Sequence, residues 1–226
     1  MSGKLRFLQS ISLVAIALIV TIPLFTLPAA GEDNLTDTIS ARLMSDQPFS
    51  SIETTAPTVK KPDWYFKAVL TYTISKKGNV TADMAEFAAQ AGQTLNDSRG
   101  WSRLGVQFKQ VESGGNFNLI LSEASYLPSY SSGCSVDWSC RAGNNVVINQ
   151  DRWLGASSAW NSGGGSLRDY RHMVVNHETG HWLGHDHAYC GGAGQSAPLM
   201  QQQSIELQGC KFNPWPLSSE LWTNRL

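Results

Sequence analysis

Four of the five histidines in this 226-residue chain fall in one stretch of eleven, HETGHWLGHDH at residues 177–187, and the fifth, His172, is five residues upstream. On a helix, residues four apart lie about 40° around the axis and about 6 Å along it, so His177 and His181 project from one face. Two imidazoles placed in this way converge on one ion, each nitrogen about 2.0–2.1 Å from it. Glu178 follows His177 and points partly aside, suited to a water on the metal rather than to the metal itself; this is the H-E-x-x-H arrangement. A third ligand is needed. On an unbroken helix His185 would lie about 12 Å along the axis from His177, too far to share the ion. Gly184 is the place for the helix to end, because glycine accepts the left-handed conformation that terminates helices. The chain can then turn back and present His187. The expected ligands are therefore His177, His181 and His187, with Glu178 as general base. His185 and Asp186 are expected outside the ligand set, with Asp186 free to orient a ligand imidazole.

Residues His177, Glu178, His181, Gly184 and His187 match H-E-x-x-H-x-x-G-x-x-H, and in this the chain resembles the metzincin metallopeptidases. The resemblance implies an α+β, metzincin-like zincin. It would have a small mixed sheet, an active-site helix, and an irregular C-terminal part with a methionine turn beneath the metal. Met200, in APLM thirteen residues after His187, is the residue that would form it. One zinc ion per chain is implied, with hydrolysis of a peptide or protein substrate through an activated water. A sheet-edge strand would pair with the extended substrate, and NNVVINQ (144–150) is the candidate. Tyr189 is a candidate donor to the developing oxyanion, with a packed or surface role as its plainer reading. The longer run HETGHWLGHDH, C, APLMQQQ, GC-KFNPWP is similar to a family of exported actinobacterial proteins of unknown function with a zincin-like site. That resemblance covers roughly residues 60 to 226 and implies no substrate.

The four cysteines, Cys134, Cys140, Cys190 and Cys210, permit three pairings. Local pairing, Cys134–Cys140 and Cys190–Cys210, is the simplest, and the second bridge would enclose Met200. A competing arrangement uses Cys190 as a thiolate fourth ligand. That would give a closed His3Cys structural zinc and a non-catalytic binding module. A site using Glu206 as third ligand is a further alternative, which the Gly184 and His187 spacing disfavours.

The even cysteine count suits an exported chain, and the N-terminus agrees. Lys4 and Arg6 precede an apolar run from about Leu8 to Leu27, followed by Ala29, Ala30 and Gly31. This is the layout of a signal peptide or an N-terminal membrane anchor over residues 1–31. Residues 32–61 read as a flexible Ser/Thr/Pro-rich linker. Residues 62–226 read as the folded domain, secreted or held at the cell surface, and expected as a monomer. A net charge of −1 gives no reason to expect nucleic acid.

Within the domain, periodicity predicts a strand at about 66–75 and a helix capped by Thr81 and running to about Leu95. Strands follow at 106–111 and 117–122, joined by a Gly114-Gly115 turn, with another at 144–150. The Gly163-Gly165 run reads as a flexible break, the histidine helix spans about 167–183, and SSELWTN reads as a last short helix.

Overall fold

The computed structural model describes residues 66–226, so the expected signal or anchor and the whole of the expected linker lie outside the described residues. Five strands form one sheet: β1 (Ala68–Lys77), β2 (Val106–Gln110), β3 (Phe117–Ser122), β4 (Cys140–Ala142) and β5 (Asn145–Asn149), in the order β2-β1-β3-β5-β4. β1, β2, β3 and β5 are parallel, and β4 alone runs antiparallel to its neighbour β5. The helices are α1 (Met84–Asn96), α2 (Gln150–Gly155), α3 (Ser158–Ser162) and α4 (Leu167–Leu183).

Side chains alternate between the two sheet faces because successive Cβ atoms of a strand point to opposite sides. Leu70 and Tyr72 of β1, Leu119 and Leu121 of β3, and Val146 and Ile148 of β5 join one large buried cluster with Met173, Val174 and Trp182 of α4. Ile120 and Val147, one residue out of phase, belong to a smaller cluster on the opposite face with Leu127 and Cys134. Strands buried on both sides read as short continuous apolar runs, which is why FNLIL and NVVI stand out in the sequence.

The pair β2 and β3 is not the hairpin that Gly114-Gly115 suggested. β2 pairs with the first half of β1, Ala68 to Tyr72, and β3 pairs with the second half, Tyr72 to Lys77, on the other side. The chain thus keeps its direction and crosses β1 in residues 111–116. Val111 N–H donates to Tyr72 O and Asn116 N–H to Thr71 O, both at 2.8 Å, on opposite edges of the strand. Gly115 makes the crossing possible, since a Cβ there would sit 3.0 Å from the β1 backbone at Tyr72 and Thr73. Two parallel strands flank a third without the usual long crossover because they occupy different lengths of it.

Other boundaries differ from the sequence reading. The cap of α1 is Asp83, whose side chain accepts from Ala85 N and Glu86 N, and Thr81 instead donates its N–H to Gln150 Oε1 at 2.6 Å. The Gly163-Gly165 run is a packed connection: Trp160 donates its indole N–H to Ser166 O, and a Cβ at Gly163 or Gly165 would meet the Phe212 or Trp160 ring. SSELWTN forms only a single 3-10 turn, Ser218–Glu220. Among the described residues no helix is long and apolar enough to cross a membrane.

Candidate metal centre

Helix α4 starts at Ser166, whose hydroxyl accepts from Asp169 N at 3.0 Å and donates to the Asp169 carboxylate at 2.8 Å. Every residue from His172 to Gly180 is buried, so the helix runs through the middle of the domain. Polar groups on such a helix need partners. His172 meets Thr94 at 2.8 Å and packs its ring at a tilt against Trp215, outside the metal cluster. Asn176 donates to Pro214 O at 3.0 Å.

The helix ends where glycine allows it. Gly184 has φ +108° and is followed by a closing bond from His185 N–H to Gly180 O at 3.0 Å. The chain then doubles back, and Ala188 N–H donates to Met200 O at 3.0 Å. His187 is thereby carried over the helix face. One ligand atom each of His177, His181 and His187 lies within 4.8 Å of the others, and His181 Nε2 is 3.1 Å from His187 Nε2. Nitrogens on a tetrahedral zinc would be about 3.3 Å apart.

Backbone carbonyls orient two of the three rings. His177 Nδ1 lies 2.9 Å from Leu199 O, and His181 Nδ1 lies 2.8 Å from His185 O. A carbonyl only accepts, so each Nδ1 carries the proton and each Nε2 presents its lone pair to the cluster. Asp186, expected to do this, forms neither bond. The His185 side chain is buried, stacks on Trp101 with centroids 4.9 Å apart, and is tied to Trp222 O at 2.9 Å. Burial pulls the pKa of His177 down to about 3 and that of His181 to about 4. It pushes Glu178 up to about 8, with the nearby Arg141 charge acting in the opposite direction. Glu178 Oε2 is buried and has no hydrogen-bond partner.

Three imidazoles, two of them with lone pairs aimed at the cluster, beside a carboxylate with an idle oxygen, form a donor set that fits zinc. They line a cleft of about 280 Å³ whose apolar lining includes Trp138, Met173, Val174 and Ile205. Met200 is fully buried below α4, with its sulfur packed where Gly180 lacks a Cβ.

The cysteines pair locally. Cys134 and Cys140 have Cα atoms 5.6 Å apart, and Cys190 and Cys210 have theirs 5.7 Å apart. Two disulfides are compatible with an extracellular protein. Cys190 therefore has no thiolate to offer, and the His3Cys arrangement falls. Glu206 stays out of the cluster and accepts from Gln208 Nε2. Tyr189 is 75 % exposed and does not line the cleft. NNVVINQ, as β5, is covered on both sides, and the free edge beside the histidines is β4. Sequence reasoning missed Arg141 on that edge and Glu220 beneath the site.

Fold and site together define an α+β domain with a three-histidine, one-glutamate centre suited to a metal ion. The family model described as "Protein of unknown function (DUF3152)" matches residues 35–216, and the chain belongs to that family. No curated protein matches it. Among solved structures it is similar to archaemetzincin (amzA) from Methanopyrus kandleri, at 14 % identity and a TM-score of 0.41, over 67 % of this chain and 91 % of that one.

Proposed function

We propose that this protein is an exported zinc-dependent endopeptidase of the metzincin type, secreted or anchored at the cell surface. One observation carries the reading: buried Glu178, with an unpartnered carboxylate oxygen, stands beside three histidines whose ligand atoms lie within 4.8 Å of one another at the floor of a cleft. His177, His181 and His187 hold the zinc. Bound there, zinc supplies a Lewis acid that polarises a carbonyl and acidifies water. Glu178 accepts the water's proton as a peptide carbonyl is attacked, then passes it to the departing amine.

Edge strand β4 offers unpaired backbone groups to an extended substrate. Met200 acts as the methionine turn: it fills the space under Gly180, and its carbonyl anchors the segment that delivers His187. The exposed side of His187 leaves room for substrate, which favours a catalytic centre over a closed structural one.

The test compares zinc-loaded protein with Glu178→Ala on a diverse peptide library, with zinc content measured in both. Cleavage by the parent and none by the variant at equal zinc supports the reading. Absence of cleavage by zinc-replete parent across the library counts against it.

A further inference from the structure

The cleft continues beyond the histidines. His181 and Arg141 line both the cavity over the metal centre and a second, open groove that also takes in Asp186, Asn224 and Arg225. The two halves differ in character: Trp138, Met173, Val174 and Ile205 make the first apolar, and charged and amide side chains make the second polar.

Arg141 is the hinge between them. It is the middle residue of β4 and pairs with Val146, a residue of the helix-side face, whereas its neighbour Cys140 pairs with Val147 on the far face. Opposed residues of paired strands share a face, so Arg141 projects towards α4 and the histidines. Its charge reaches both Glu178 and His181. Among the described residues its guanidinium makes no hydrogen bond and no ion pair. Arg225 is partly committed: its Nε donates to Trp182 O at 2.8 Å and its guanidinium lies 5.2 Å from the Trp182 ring, leaving its terminal nitrogens without a partner. Asp186 is the one acidic residue lining this groove, and it forms no ion pair with either arginine. Two guanidinium groups thus face one carboxylate, and one of them is fully available.

We propose that this groove is the subsite for a substrate carboxylate, so that the enzyme selects peptides with Asp or Glu on the amino-terminal side of the cleaved bond. The proposal rests on the peptidase reading above. Its direction follows from β4. An added strand pairs slightly better antiparallel, and β4 runs from the apolar cavity, lined by Ser139 and Cys140, to Arg141 at the groove; just past the strand Asn144 accepts from the indole of Trp182, the ring beside Arg225. An antiparallel peptide enters over the groove and leaves over the cavity. The residues before the scissile bond therefore lie against Arg141 and Arg225. Arg141 provides a planar fork of donors that matches a carboxylate. It carries most of the preference, and Arg225 adds to it.

Binding tests this apart from catalysis. The probes are blocked, fluorescein-labelled octapeptides of alanine and leucine, in which a single Glu or Gln is scanned through every position. They are titrated into the zinc-loaded, full-length Glu178→Ala protein at low salt. In parallel, cleavage sites of the zinc-loaded parent are mapped on a diverse peptide library. The expected result is about fivefold tighter binding of the best Glu peptide over its Gln twin, the size of a well-placed exposed ion pair. The ratio falls towards one with Arg141→Gln, falls less with Arg225→Gln, and shrinks at 0.5 M salt. Equal zinc content and melting midpoint in these variants establish that only the groove has changed. A parent that binds Glu and Gln peptides equally, or keeps its preference in Arg141→Gln, overturns the proposal. Cleavage with no enrichment of Asp or Glu before the scissile bond also overturns it, while leaving the peptidase reading intact. An Arg141-dependent Glu preference without any cleavage supports the carboxylate site and removes the peptidase reading.

Discussion

Glu220 accepts a hydrogen bond from the N–H of Leu199 at 2.9 Å, and the carbonyl of that same Leu199 takes Nδ1 of His177 at 2.9 Å. A buried carboxylate near the C-terminus is therefore separated from a candidate metal ligand by a single residue. Its two oxygens also accept from Met200 N and Leu217 N, at 2.9 and 2.7 Å. Replacement by glutamine turns an amide N–H₂ towards backbone donors and leaves at least one of them unsatisfied. Glu220→Gln is expected to lose about 2 kcal/mol of stability and to bind zinc about tenfold more weakly. Chelator competition measures the affinity, and the spectrum of the cobalt-substituted protein reports the geometry. Unchanged affinity and spectrum alongside a lowered melting midpoint would make Glu220 purely structural.

Glu178 sits in a place that costs stability. Burial raises its pKa from 4.5 to about 8, so the folded state holds a proton that the unfolded state releases between those values. The stability tied to this one group, without metal, is then lost as pH rises through that window. Glu178→Gln removes the titration. The chelator-treated variant is expected to match the parent near pH 5 and to melt higher than it at pH 8, while peptide hydrolysis falls by at least about a hundredfold. Thermal melts at the two pH values check the first statement, and initial rates check the second.

The histidines give the opposite slope. Burial lowers the pKa of His172, and also of His177, His181, His185 and His187. Each lowered group binds its proton more readily in the unfolded chain. The stability tied to it is complete above the unfolded value near 6.5 and is lost as pH falls below it. In the chelator-treated Glu178→Gln protein, where the opposing carboxyl titration is gone, the melting temperature is therefore expected to fall progressively from pH 7 to pH 5. Replacing His172, which lies outside the metal cluster, with Gln should reduce that slope. An unchanged slope would mean that His172 does not titrate with folding.

Gly184 is held by conformation and by space. At φ +108° an L side chain is strained, and a Cβ there would come within 2.5 Å of Asn224 Oδ1. Gly184→Ala is expected to cost about 2 kcal/mol and to weaken zinc binding, because the turn that delivers His187 begins there. Gly143→Ala provides the control: φ is +59° but nothing lies within 4 Å. It should cost about 1 kcal/mol from the backbone alone and leave zinc affinity unchanged. Denaturant melts and chelator titration separate the two.

The histidine helix was legible in sequence because its determinants are local. Ser166 caps it, Gly184 stops it, and the four-residue step fixes which rings share a face. The meeting of His177, His181 and His187 follows from that spacing plus one turn. What supports them was not legible: the carbonyls of Leu199 and His185 are backbone groups, and no side-chain pattern marks them. Glu220 looked like any polar residue in a C-terminal turn, since the partners that tie it to the site, Leu199 and Met200, lie about twenty positions away. Gly114-Gly115 misled for a related reason. Glycines mark a place where the chain bends or approaches another closely, and the sequence does not distinguish a reversal from a crossing over β1. Strand β4, at three residues, is too short for periodicity to register, although it brings Arg141 to the cleft.

Helix α4 has no idle surface between His172 and Gly180. The element that would do the chemistry is also the spine of the domain, so a change on it alters stability and site together. On the peptidase reading, differences in substrate choice among related chains would arise elsewhere along the rim: on β4, in the residues after Met200, and in the C-terminal segment that carries Arg225. A laboratory search for altered specificity should randomise those stretches and leave the helix untouched.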